Sequence, residues 1–355
     1  MQLKENIKNR ILFILKINEN YGVEHHSHIG LSTGLYNSCR FMTDMLEEDN
    51  IDSKMVVVND NNDIDREVNN YNPSHVIIEA LWVVPSKFNV LVKLHPNVKW
   101  IIRLHSEIPF LANEGMAMKW LGDYSEHENV IIGCNSPQTT KDIKFYLSHK
   151  NGWNKKSTNQ KVIYLPNFYP QKFKCKKLDK SKTTIDIACF GAIRPLKNHL
   201  IQAIAAIQFA DKINKKLNFH INLRIQQKGE PIYNNLIGLF KHLEHKGHNL
   251  IVHKWSTREE FLNLCSTMDL GMQVSLNETF NIVGADIISQ GVPLVPSKEI
   301  PWSSQHFVSH QTNTSEIFET LYRTYKYSRI NVCLNQILLK LYTNKSRKVW
   351  IKYFK

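Results

Sequence analysis

The stretch SLNETFNIVGADIISQGVPLVPSKEIPW, from Ser275 to Trp302, is the most informative part of the chain. The apolar run DLGMQVS from Asp269 leads into a polar loop at Ser275, and helix-like spacing then opens near Phe280 and runs to about Ser289. VPLVP from Val292 follows as another strand. Strand, loop, helix and strand in so short a span form the unit from which a parallel sheet is wound. The loop ends on a helix N-terminus, whose unpaired N–H groups and positive dipole end suit a phosphate. Glu278 stands in the loop, and Asp286 lies a little over two turns further on, so both carboxylates are expected to face one cleft. An acidic helix start is also favoured by the dipole alone, so the pair does not by itself decide for chemistry.

Working back toward the N-terminus, IACFGAIRPLKNHLIQAIAAI from Ile187 repeats the pattern. A buried strand ends at Phe190, Gly191 makes a turn, and Arg194 and Lys197 precede or open a helix. Arg offers a planar fork for phosphate oxygens and Lys a compact charge. NFHINLRI from Asn218 and NLIVHKW from Asn249 complete a set of strands with helices over Pro231 to about Glu244 and Thr257 to about Cys265.

The first half alternates in the same way. ILFILKI, KMVVV, HVIIEALW, VKWIIRL and NVIIGC, beginning at Ile11, Lys54, His75, Val98 and Asn129, are short and apolar, as strands buried on both faces of a parallel sheet should be. Helices fit Thr33 to about Glu48, Pro85 to about Leu94 and Ser136 to about His149, with Ser32 and Ser136 as N-caps. The expected architecture is α/β, with two facing Rossmann-like domains. The boundaries are 1–170, a charged linker over 171–183, 184–328, and a helical tail over 329–355 in which Leu334, Ile337, Leu338 and Leu341 pack one face on the body.

Weaker signals lie in the first half. Gly30 and Gly34 flank Leu31-Ser32-Thr33 ahead of a helix, but an isolated G-x-x-x-G is little evidence. His25, His26 and His28 resemble a metal cluster with no further ligand spaced to complete it, which favours a cleft loop and no metal. His105 and Ser106 end a buried strand on its carboxyl side, where open α/β sheets bind ligands. Glu107 and Glu114 follow as candidates for binding an acceptor, and Asn135-Ser136 end the next strand. Trp82, Trp100, Trp120 and Trp255 read as core.

Composition sets outer limits. The 355 residues suit two domains, and 42% hydrophobic with 10% aromatic residues describes a folded chain. No run approaches the ~20 apolar residues of a membrane-spanning helix. The apolar run at Ile11 is short and lacks a cleavage site, so it reads as a first strand and not a signal peptide. The six cysteines form no C-x-x-C pair, which predicts a reduced, cytoplasmic setting without zinc or a disulfide scaffold. A net charge of +13 implies an anionic partner without choosing among nucleotide phosphates, nucleic acid and acidic lipid at the inner membrane face.

The two central segments together resemble the retaining glycosyltransferases of the GT-B fold, family 4 in particular, with its Glu-x7-Glu motif, small-residue turn and apolar strand. Here the motif reads E-TFNIVGA-D followed by IISQGVPLV, with Asp286 in place of the second Glu and Asn281 where Gly is usual. The phrases DNNDIDREV, VIIEALWVVPSKF, RLHSEIPFLANEG and GAIRPLKNH resemble a compact group of such proteins that includes phage-encoded members. The resemblance implies a metal-independent, hexosyltransferase-like enzyme with no obligatory cofactor, using a nucleotide-diphosphate sugar as donor substrate. Glu278, Arg194, Lys197 and His105 are then catalytic, with Glu278 on donor-sugar hydroxyls and Arg194 and Lys197 on the diphosphate. Thr279, Phe280, Asn281, Ile282, Gly30 and Gly34 line the donor, and Asp286 holds its ribose. Ser106, Glu107 and Glu114 lie on the acceptor side, and the last helix returns to the first domain. The acceptor is a glycan, a lipid-linked sugar or DNA. A DNA-base glycosyltransferase, a phosphorylase or epimerase of the same fold, and a non-catalytic nucleotide-sugar-binding protein are the alternatives.

Overall fold

The computed structural model describes residues 9–16, 33–226 and 228–355. They divide into two compact units. The first holds 9–16, Leu35–Phe168 and Thr343–Lys355, and the second holds 33–34 and Tyr169–Tyr342.

The first unit runs β1 (Arg10–Lys16), α1 (Gly34–Glu48), β2 (Asp52–Val58), α2 (Asp63–Tyr71), β3 (His75–Glu79), α3 (Phe88–Leu94) and β4 (Lys99–Leu104). It continues with α4 (Ile108–Leu111), α5 (Ala117–Tyr124), β5 (Val130–Cys134), α6 (Pro137–Asn151), α7 (Lys155–Lys161) and β6 (Val162–Tyr164). The strands form a six-stranded parallel sheet in the order β2-β1-β3-β4-β5-β6. Its central strands are apolar on both faces, with Leu12, Ile14, Val76, Ile78, Trp100 and Ile102 in one core cluster. Each expected strand is present, and Ser136 caps α6 by accepting from Thr139 N at 3.0 Å. Helix α7 was not expected, because KKSTNQK has no apolar period. Asn154 starts it by accepting from Ser157 N at 3.0 Å.

The second unit runs β7 (Thr184–Ala188), α8 (His199–Lys212), β8 (Lys216–Asn222), α9 (Glu230–Leu243), β9 (Asn249–His253) and α10 (Arg258–Thr267). Then follow β10 (Leu270–Gln273), α11 (Ile282–Ser289), β11 (Leu294–Pro296), α12 (Thr314–Lys326) and α13 (Ser328–Phe354). Its five-stranded parallel sheet has the order β11-β10-β7-β8-β9. Helix α10 opens on a complete capping box between Thr257 and Glu260. The charged segment over 171–183 is irregular and lies on this unit: Lys174 N donates to Ser289 O at 2.7 Å, and Lys176 Nζ donates to Ser266 O at 2.7 Å.

Helix α13 belongs to both units, passing from one to the other at Tyr342 and Thr343. In the second unit Asn331 accepts from Leu294 N and donates to Leu294 O, each at 2.9 Å. In the first, Trp350 is fully buried, its ring 6.0 Å from Phe13 and its Nε1 donating to Pro166 O at 2.7 Å. The expected apolar face is corrected by the structure. Ile337 and Leu341 are each 50% exposed, while Asn331, Asn335, Thr343 and Ser346 are buried. The asparagines turn inward because they saturate loop backbone: Asn335 accepts from Ser304 N at 2.8 Å.

Candidate functional site

In the second sheet β7 lies between β8 and β10, so the chain leaves β7 toward one edge and returns to its other side at β10. At such a switch point the loops leaving the carboxyl ends diverge, which opens a crevice for a ligand. Those two loops are the two segments singled out in the sequence. In the first, Gly191 has φ +116°, a left-handed conformation that a side chain would strain, and its N–H donates to Asn222 Oδ1 at 3.2 Å. Arg194 is extended, a single 3-10 turn covers Pro195–Lys197, and Asn198 turns left-handed at φ 59° to start α8.

The loops are knitted together. Leu276 N donates to Leu196 O at 2.9 Å, Asn198 Nδ2 to Val274 O at 3.1 Å, and Val274 N to Gln202 Oε1 at 2.8 Å. Across this seam Lys197 Nζ donates to Glu278 Oε1, with both side chains largely buried. Glu278 also accepts from Asn281 Nδ2 at 3.1 Å. Asn281 has φ 61° and caps α11 by accepting from Gly284 N at 2.7 Å. Asn tolerates this left-handed position, which accounts for an Asn where the resembled motif has Gly. Thr279 and Ile282 are partly exposed beside it. Phe280 is buried against Trp302, whose Nε1 donates to Phe280 O at 2.6 Å.

Asp286 is placed differently. It is 1% exposed, and its carboxylate accepts from Tyr169 Oη at 2.7 Å and from both terminal nitrogens of Arg258 at 2.7 and 3.3 Å. Burial pushes its carboxyl above the ordinary value, against the pull of Arg258 and Tyr169. The expected shared cleft is therefore corrected, since the two carboxylates end in separate networks. A helix interior carries Asp286 inward where the loop leaves Glu278 at the rim.

The first sheet has its own switch point, because β1 lies between β2 and β3. Beside it Glu79 ends β3, and Arg103 and His105 lie at the end of the neighbouring β4. Glu79 and Arg103 have no exposed side-chain surface, with Arg103 Nη1 at 3.1 and 3.2 Å from the two Glu79 oxygens. His105 Nε2 meets Glu79 Oε2 in a short hydrogen bond. Arg103 Nη2 donates to Asn167 Oδ1 at 2.5 Å, and Arg103 Nε to Leu165 O at 3.2 Å. Burial pushes Glu79 up, but Arg103 and His105 outweigh it and hold the carboxyl below its ordinary value. Burial pushes the His105 imidazole down, and the opposing pull of Glu79 does not restore it.

Ser106 and Glu107 follow His105 directly, with Glu107 at the N-cap of the short α4 and Glu114 in the turn beyond it. Asn135 is buried, its N–H donating to Leu104 O at 3.3 Å. Gly34 is the first residue of α1, and a Cβ there would stand 3.3 Å from Ile282 Cγ2. Gly30, His25, His26, His28 and Ser32 lie outside the described residues. Among the described residues no group of His, Cys, Asp or Glu is placed to hold a metal, and no helix is long and apolar enough to cross a membrane.

No family model and no curated protein matches the chain. Solved structures do. The apo structure of OtsA superposes with a TM-score of 0.67 at 11% identity, covering 98% of this chain and 99% of that one. Anabaena Alr3699/HepE in complex with UDP gives 0.63 at 10% identity, over 96% of each chain. The structure described as trehalose-6-phosphate from E. coli bound with UDP-2-fluoro glucose gives 0.66 at 11% identity, over 97% and 98%. The fold is GT-B. At these identities the likeness is one of architecture, two Rossmann-like parallel sheets with a long C-terminal helix.

Sequence reasoning passed over Glu79, Arg103, Arg258 and Tyr169. A signal for the first two was present: each is a charged residue inside a strand of otherwise apolar character, HVIIE and KWIIRL. Such a charge is tolerated in a two-sided sheet only with a partner. Trp255, read as core, lies just beyond β9 with Arg224 4.8 Å above its ring, and its buried Nε1 has no partner among the described residues.

Proposed function

We propose that the chain is a glycosyltransferase of the family 4 kind, moving a sugar with retention from a nucleoside-diphosphate sugar to a hydroxyl acceptor. The observation that carries this reading is the Lys197–Glu278 pair across the two loops of the second switch point, beside the capped start of α11. A cation, a carboxylate and a helix N-terminus converge where a diphosphate and its sugar are best held. UDP in the HepE complex and UDP-2-fluoro glucose in the E. coli structure support a uridine donor as the first to try.

In this reading Lys197 and Arg194 stabilise the charge that develops on the departing diphosphate, aided by the α11 N-terminus. Glu278 receives donor-sugar hydroxyls. The acceptor hydroxyl attacks the anomeric carbon from the leaving-group side, the bond to the diphosphate oxygen breaks, and the hydroxyl proton passes to that oxygen. Trp255 Nε1, without a partner among the described residues, and the cation over its ring suit a nucleobase. Asp286 is assigned no ribose contact, because its carboxylate already serves Arg258 and Tyr169. His105, Ser106, Glu107 and Glu114 are assigned to sugar hydroxyls on the first unit.

The test is a melting panel with UDP, GDP, ADP, CMP and their sugars, followed by transfer assays with the sugar that raises the melting point. Glu278→Ala is expected to keep the fold and lose transfer. Intact transfer by that variant refutes the assignment.

A further inference from the structure

In the second unit, helix α13 turns unlike faces inward and outward. Asn331, Asn335 and Leu339 are buried against the body, the asparagines bonded to Leu294 and Ser304. The opposite side carries Ile330, Ile337 and Leu341, spaced at seven and four residues so that they stand in one row. Each is half-exposed, and Cys333 is exposed beside them. Single apolar residues on a surface need no explanation, but a row of them on one helix face does. The 27 residues of the helix include no acidic side chain.

The row is flanked by cations. Arg329 and Lys340 are exposed on the helix itself, and the exposed Lys326 ends α12 just before it. The charged segment over 171–183 lies along the same helix. Gln336 Nε2 donates to Lys174 O at 3.0 Å, and Lys180 Nζ donates to Lys326 O at 3.2 Å. The segment therefore runs antiparallel to the start of α13, with Lys174, Lys177 and Lys180 exposed. Its one acid, Asp179, is turned onto Ser181, accepting from the N–H at 2.9 Å and from the hydroxyl at 2.6 Å.

We propose that this face of the second unit docks on the headgroup layer of an anionic lipid bilayer. Ile330, Ile337 and Leu341 enter the interface, and the flanking cations reach the phosphates around them. Helix α13 is not apolar enough to cross a bilayer, so it lies along the surface. The charge decides the occupant. A second copy of the chain fits poorly, because a two-fold contact sets the same cations against themselves. Nucleic acid would satisfy the cations but gains nothing from the aliphatic row. A convex ridge offers no groove for a partner's side chain, whereas a fluid interface moulds around it. The surface is independent of the transfer reaction proposed above and is tested without a donor.

The experiment is co-sedimentation of the full chain with vesicles of phosphatidylglycerol and phosphatidylcholine in equal parts, against vesicles of phosphatidylcholine alone. Binding is expected to the mixed vesicles only, and to weaken as salt is added. Lys174→Gln with Lys340→Gln should lower the partition coefficient about 20-fold at low salt. Ile337→Gln with Leu341→Gln should lower it about tenfold, at low and high salt alike. All four positions are exposed, and an unchanged melting point shows each variant folded. A polarity-sensitive fluorophore on Cys333, in a chain carrying Cys175→Ser, should shift to the blue on the mixed vesicles alone. No binding to the mixed vesicles, or binding undiminished by the apolar pair of substitutions, overturns the proposal. So does a concentration-dependent dimer that the apolar pair abolishes, since the face would then belong to a second copy.

Discussion

Each of the two switch points pairs a carboxylate with a cation, but the pairs are built oppositely. Glu79 and Arg103 are fully enclosed, doubly bonded and anchored to backbone at Leu165. Glu278 and Lys197 retain 9% and 12% side-chain exposure, share one oxygen, and hang from loops. A guanidinium held at all three nitrogens, by Glu79, Asn167 and Leu165, is fixed in place, whereas a lysine in a loop can turn from its carboxylate to an arriving phosphate. The first pair is a fixture. The second is suited to exchange partners.

The comparison is broken most sharply by Arg103→Met. It leaves Glu79 buried without its counter-charge, and a loss of about 3–5 kcal/mol in urea unfolding is expected. Lys197→Met should cost less, about 1–3 kcal/mol in the same measurement, because Glu278 keeps the amide of Asn281, while transfer falls by about 10²–10³-fold. Equal stability losses in the two variants would erase the distinction between fixture and exchanger. Asp286→Asn weakens charged hydrogen bonds to Arg258 and should destabilise by about 1.5–3 kcal/mol, with nucleotide affinity per folded molecule unchanged.

A smaller effect separates the units by pH. Burial pushes His75 in the first unit down to about 4 and His199 in the second down to about 3. Both folded values lie below the unfolded one, so each histidine's contribution is complete above about pH 6.5 and is lost as pH falls, at about 1.4 kcal/mol per pH unit. Replacing His75 by Gln should lower the slope of stability against pH between about pH 6 and 4 by that amount. A comparably small change is expected of Asn281→Gly, which keeps the left-handed backbone but loses the cap and the amide bonds to Glu278 and Gln273, and should cost about 1 kcal/mol.

Most strands of both sheets were legible because they are short apolar runs bounded by turn residues. That the loops carrying Lys197 and Glu278 lie near each other was legible for a related reason, since both end apolar strands, but their ion pair was not expected, because each side chain was assigned to a ligand. Asp286 was misplaced because spacing fixes only which side of a helix a residue takes, and Arg258, which decides its environment, comes from another helix. Glu79 was passed over because a strand's charge looks incidental until its neighbour in the sheet is known to be β4. The inward asparagines of α13 were hidden for a similar reason: apolar periodicity pointed to Ile337 and Leu341, while the loop ends at Leu294 and Ser304 required amides.

Helix α13 has a bearing on how the chain is made. Trp350 and Phe354 complete the core of the first unit, and Asn9 Nδ2 donates to Phe354 O at 2.6 Å. These residues leave the ribosome after the whole of the second unit. The usual order, in which the leading domain folds before the trailing one is synthesised, is therefore reversed in its final step. A nascent chain halted after Tyr342 carries the strands of both sheets yet leaves Phe13 and Pro166 without Trp350, so the first unit is completed only after the second has been made.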